Sequence, residues 1–131
     1  MSLNIQGINA EKLARQYLQS KNVYNMQQLD WFIKIENKYY IVEVKDKQLY
    51  DPPPIKGTGL DIRQLKFRKQ VYDDLGIDTI LMVFEKNTNN VYTQCLSVLE
   101  ATKDYHDTKN NIRIYNIKHF KKEVFAQHLF E

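Results

Sequence analysis

The chain has 131 residues, 43% hydrophobic and 27% charged, which suits one domain (residues 1–131) with one core and excludes a disordered chain. Its 19 Lys and Arg against 16 Asp and Glu leave a net charge of +3, compatible with a nucleic-acid partner but too mild to argue for one. There is no bilayer-length apolar run and no basic-then-apolar signal pattern, and the single Cys95 has no disulfide partner. Together these point to a cytoplasmic protein that does not enter a membrane.

Asn9 is placed to cap a first helix through about Ser20, whose apolar stripe is Ala10, Leu13, Ala14, Tyr17 and Leu18. Glu11 lies at the margin of that stripe. Asn22 to Met26 carries a weak strand signal. Trp31–Glu36 and Tyr39–Lys45 read as two strands joined at Asn37-Lys38. Residues 46 to 59, with Pro52-Pro53-Pro54, Gly57 and Gly59, read as irregular. Asp61 then caps a second helix that runs to about Leu75 and closes at Gly76. Ile77–Glu85 is an apolar strand, Lys86–Asn90 a polar turn, and Val91–Leu96 a further strand in which Cys95 is a small apolar residue. After a short segment of no clear type, Ile112–Ile117 reads as the last strand, followed by an amphipathic tail with Phe120, Val124 and Leu129.

With Asn37 and Lys38 as turn residues, Glu36 pairs with Tyr39, Asp30 faces Lys45 and Phe32 faces Glu43. Alternation then puts Trp31, Ile33, Ile35, Tyr40, Val42 and Val44 on one apolar, packed face. Asp30, Glu43 and Lys45 gather on the other. Asp30 and Glu43 become diagonal neighbours, roughly 7–8 Å apart at the backbone, within reach of one shared cation. A slip of one residue in register would separate them. Two carboxylates are what a hard divalent ion such as Mg²⁺ takes from a protein, and a lysine beside them can hold a water or neutralise charge building on phosphorus.

An acidic-x-Lys triplet is expected about twice by chance in this composition, and the chain holds two others, Glu36-Asn37-Lys38 and Asp107-Thr108-Lys109, both in turns. Only Glu43-Val44-Lys45 ends an apolar strand, Tyr40-Ile41-Val42, with an Asp opening the strand before it. Asp30, the strand Ile41-Val42-Glu43-Val44-Lys45 and a preceding helix containing Glu11 resemble the core of the PD-(D/E)XK nuclease superfamily over residues 9 to 85.

That resemblance implies an α/β restriction-endonuclease-like fold: a central mixed sheet flanked by helices in the order αβββαβ, with C-terminal additions. It implies a metal-dependent endonuclease hydrolysing DNA. With no separate target-reading domain visible in the sequence, a structure-selective role, as in recombination, repair or phage DNA processing, is expected over sequence-specific restriction. Asp30, Glu43 and the Val44 carbonyl would hold Mg²⁺ or Mn²⁺, Lys45 would orient or activate water, and Glu11 would be the acid of the first helix. Two departures stand out: Leu29, not Pro, precedes Asp30, and a family Gln–Tyr pair spaced by four is here Gln64 and Arg68. These two still share a helix face, from which they could touch the site or a phosphate. Lys47 and Lys56, in the loop after Lys45, are further substrate-contact candidates, and a homodimer suits cutting of two strands.

Competing readings remain. Asp30 could cap its strand and pair with Lys45, Glu11 could serve the helix dipole, and the loop could be a stiff connector. Arg63, Lys66 and Lys69 could follow a phosphate backbone or simply be solvated. His106, His119 and His128 have no metal-ligand spacing. At the level of function, the alternatives are a non-catalytic nucleic-acid-binding module on the same fold and a protein-interaction domain.

Overall fold

The computed structural model describes residues 3–27 and 29–125. In chain order it contains α1 (Leu3–Ser20), β1 (Trp31–Ile35), β2 (Lys38–Lys47), β3 (Gly57–Asp61), α2 (Ile62–Leu75), β4 (Asp78–Glu85) and β5 (Asn90–Cys95). These are followed by α3 (Leu96–Thr102), β6 (Tyr105–Asp107), β7 (Ile112–Asn116), a 3₁₀ turn (Ile117–His119) and β8 (Lys121–Val124). The strands form a five-stranded sheet in the order β1-β2-β4-β5-β8 and a three-stranded sheet in the order β3-β7-β6. β2 and β4 are parallel and the other pairs antiparallel, so the larger sheet is mixed. No helix among the described residues is long and apolar enough to cross a membrane.

β2 and β4 lie side by side and parallel, so the chain between them must cross over, and β3 and α2 make that crossing. α2 has the ends its sequence calls for. The Asp61 side chain accepts from the Arg63 amide at 2.7 Å. Gly76 sits in the left-handed region at φ 70° and donates to the Tyr72 carbonyl. In β4, Thr79, Leu81 and Val83 point inward, and the parallel register sets them beside Ile41, Glu43 and Lys45 of β2. That side of the sheet looks onto the core of Leu49, Leu60, Leu65, Leu81, Val83, Tyr92, Leu96, Leu99, Tyr115 and Phe120. Glu43 is thus an acid on the core side of a central strand.

Several expectations are corrected. α1 starts at Leu3, so Asn9 lies inside the helix and not at its N-terminus; no proline interrupts the first turns, and Gly7 costs a helix only about 1 kcal/mol. The α1 stripe is not buried either: Leu13 is 61% and Tyr17 63% exposed. Asn22 to Met26 forms no strand. The 46–59 segment is only partly irregular, because β2 runs on to Lys47 and Gly57 opens β3. Gly57 and Gly59 belong to a strand because a Cβ on either would run into the backbone of Tyr115 or Arg113 on the neighbouring β7. The segment after β5 contains α3 and β6. Within the tail, Phe120 is buried and Val124 ends β8, while Leu129 and His128 lie outside the described residues.

The hairpin turn falls on Glu36-Asn37, with Glu36 at φ 55°, instead of Asn37-Lys38. Ile35 pairs with Lys38 and Trp31 with Val42. The register therefore shifts by two residues, which keeps every side chain on its expected face. The apolar face is less covered than expected: Val42 is buried, but Trp31 is 65% and Ile35 50% exposed at the sheet edge.

Candidate active site

Extending the β1–β2 register by one residue sets Asp30 across from Glu43 rather than Lys45. Asp30 precedes β1 and remains exposed, and its Oδ2 accepts a 2.8 Å hydrogen bond from the Val44 amide. This bond caps β2 where β1 has run out. A strand residue turns its N–H and C=O to the same edge, so the Val44 carbonyl also projects on the Asp30 side. Asp30, Glu43 and the Val44 backbone therefore converge at the open end of the hairpin.

Glu43 and Lys45 follow each other on the core face of β2, where side chains of α2 reach them. Gln64 and Arg68, one turn apart on α2, reach down to this pair. Arg68 Nη2 pairs with Glu43 Oε1 where both residues are only 2% exposed. Gln64 Nε2 donates to Glu43 Oε2 at 3.4 Å, and Gln64 Oε1 accepts from Lys45 Nζ at 3.5 Å. One amide thus spans the acid and the lysine. Both of its contacts are long, so a tighter ligand would displace them at small cost.

Lys47 lies two residues beyond Lys45 on the same face, 5.9 Å from the Tyr50 ring centre. Burial, and then the neighbouring Lys45 charge, hold its amine below the usual 10.5. The end of β2 therefore presents an acid followed by two lysines.

Other candidates fall elsewhere. Glu11 is exposed and lines a groove with Arg15, Leu18, Met26, Gln27 and Phe67. Among the described residues, no three His, Cys, Asp or Glu side chains form a group able to hold a metal, so Glu11 does not complete a triad with Asp30 and Glu43. Lys56 is exposed, and its carbonyl accepts from the Ile117 amide at the start of the second sheet. Arg63 and Lys66 are exposed and border a cleft shared with Tyr24, Met26, Phe67 and Gln70. Lys69 is committed to Glu100 at 3.0 Å.

Arg68 departs furthest from a surface role. Among the described residues it is the largest fully buried side chain, held on Glu43 and not on a solvated helix face. A signal for this exists in the sequence: Arg68 shares its helix face with Leu65, which is 1% exposed.

No family model, curated protein or solved structure matches the chain. Its functional reading therefore rests on this geometry and on the residue pattern of β1 and β2.

Proposed function

We propose that the chain is a Mg²⁺- or Mn²⁺-dependent endonuclease of the PD-(D/E)XK type that hydrolyses phosphodiester bonds in DNA. The observation that carries this reading is the meeting of Asp30, Glu43, the Val44 backbone and Lys45 at the end of one hairpin, with Gln64 spanning acid and lysine. The order α1-β1-β2-β3-α2-β4 supports the αβββαβ core of a restriction-endonuclease-like fold, although β3 here belongs to the second sheet.

The donor set fits a hard cation. Asp30 has one oxygen on the Val44 amide, and among the described residues Glu43 Oε2 has only the long Gln64 contact. With the Val44 carbonyl these are oxygen ligands of the kind Mg²⁺ accepts while keeping several waters. A divalent ion bound by these residues would supply an activated water and stabilise charge developing on the phosphoryl oxygens. Lys45 would hold the attacking water or the non-bridging oxygen beside it, with Gln64 in long hydrogen-bond reach of both the lysine and Glu43. Lys47 adds positive charge along the strand for the scissile phosphate. Tyr24, Arg63 and Lys66 border a cleft where a DNA backbone could continue. The form of this activity proposed is structure-selective cleavage in recombination, repair or phage DNA processing. Two copies acting together would cut two strands.

A second reading is favoured by the Arg68–Glu43 pair. Arg68 already compensates the Glu43 charge, as in a nucleic-acid-binding module that keeps the fold without catalysis. Incubation with single-stranded, duplex and branched DNA and with RNA, in Mg²⁺ or Mn²⁺, separates the two. The nuclease reading expects metal-dependent cleavage of DNA that drops by about 10²-fold or more in Lys45→Ala. Salt-sensitive binding without cleavage, unchanged in Asp30→Ala, would establish the module instead.

A further inference from the structure

The two edges of the five-stranded sheet are built differently. β8 is four residues long with the sequence Lys-Lys-Glu-Val, a charged and short edge of the kind that discourages pairing. β1 has the sequence Trp-Phe-Ile-Lys-Ile, without proline, and its pairing with β2 is continuous from Trp31 to Ile35 without a bulge. Trp31 is 65%, Phe32 54% and Ile35 50% exposed. Among the described residues, β1 makes no backbone hydrogen bond outside its pairing with β2.

The two-residue turn decides which groups face out. In such a hairpin the flanking pair, here Ile35 and Lys38, exchanges backbone hydrogen bonds, and every second pair does the same. Trp31, Ile33 and Ile35 therefore bond inward to β2, while Phe32 and Lys34 turn their N–H and C=O groups outward.

We infer that β1 is a homodimer surface, at which β1 of a second copy adds in antiparallel register centred on Ile33, joining the two sheets into one. The sequence is self-complementary in that register. Phe32 meets Lys34 of the partner subunit, and both are outward-bonding residues, so each such pair exchanges two backbone hydrogen bonds. The lysine ammonium lies beside an aromatic ring instead of another lysine. On the opposite face, Trp31 meets Ile35 of the partner subunit at each end, and the two Ile33 side chains meet on the two-fold axis. Each copy offers the same patch, as an isologous interface requires. A register moved by two residues would lose the symmetric match of both lysines with both phenylalanines. This surface is separate from the Glu43 cluster, and its test reads association rather than cleavage.

Five-residue strands bury a small area, so association in the micromolar range is expected, about 1–100 µM. Sedimentation of the wild-type chain across that range should show a monomer–dimer equilibrium. Lys34→Pro removes an outward N–H at an edge position that tolerates proline, and should abolish the dimer. Register is read by cross-linking in a Cys95→Ser background. Ile33→Cys sets two thiols on the two-fold axis in a non-hydrogen-bonded pair, about 4.5 Å apart at Cα and within disulfide range. Ile35→Cys sets its two thiols far apart. Mild oxidation should therefore join Ile33→Cys chains at least about tenfold faster than Ile35→Cys chains. A wild-type chain that stays monomeric throughout the range overturns the proposal, as does equal cross-linking at the two positions.

Discussion

Removing one member of the Arg68–Glu43 pair gives the most demanding test of the site's architecture. Both residues are 2% exposed, so neither charge can turn to water when its partner is lost. In Arg68→Met the helix keeps its packing volume, but Glu43 becomes an uncompensated carboxylate between β2 and α2. The cost of such a change is about 3–5 kcal/mol, several times that of breaking an exposed ion pair. At about 2.1 cal/mol/K of unfolding entropy per residue, 131 residues convert this to a fall in Tm of roughly 11–18 °C. The double variant Glu43→Leu, Arg68→Met should recover most of the loss, because an apolar pair of similar volume carries no desolvation penalty. Calorimetric melting of the wild type, both single variants and the double variant closes the cycle. A loss below about 1 kcal/mol in Arg68→Met would show that the pair is solvated and that this account of α2 over β2 is wrong. The same variant probes the proposed metal site: freed of Arg68, Glu43 should bind Mn²⁺ more tightly, and added Mn²⁺ should raise the Tm of Arg68→Met more than that of the wild type.

Other outcomes follow from single contacts. Asp61→Ala removes the side-chain acceptor of the Arg63 amide and should cost about 1 kcal/mol by thermal melting, with Asp61→Asn close to wild type. Gly59→Ala drives a Cβ into the Arg113 carbonyl across the β3–β7 pair and should prevent folding or cost more than about 3 kcal/mol by urea unfolding. Burial pushes the Glu100 carboxyl up, but hydrogen bonds from Lys69, Arg113 and Tyr115 outweigh it and leave it below its usual 4.5. A depressed carboxyl contributes stability that is complete above 4.5 and disappears as pH falls through its folded value. Urea midpoints should therefore decline below about pH 4.5, and Glu100→Gln should flatten that decline.

How far the sequence reveals this fold depends on how local each signal is. α2 is bounded as its own residues indicate, because Asp61 and Gly76 act within one turn of the helix ends. The hairpin is legible by face but not by register. Glu36 takes the left-handed turn position ahead of Asn37, and only its positive φ reveals this. The two-residue shift preserves the faces, so Asp30, Glu43 and Lys45 still share one, but Asp30 moves from opposite Lys45 to opposite Glu43.

β3 was not legible, because Gly57-Thr58-Gly59 signals a strand only once β7 lies against it. α3 and β6 are too short for periodicity to speak. The burial of Arg68 is a tertiary property: a charged residue in a basic helix reads as solvated until Glu43 is found beneath it. Gln64 and Arg68 were visible as neighbours on one face, though not as the groups that hold Glu43.

In the proposed site Asp30 and Glu43 hold a divalent cation beside Lys45. The decisive experiment is calorimetric titration of Mn²⁺ into the chain bound to a short DNA duplex, alongside Asp30→Ala and Glu43→Ala. Saturable binding is expected for the wild type and its loss in both variants, with a DNA phosphate completing the coordination. Binding that persists undiminished in both variants, or no binding by the wild-type complex at millimolar Mn²⁺, would contradict the proposed site.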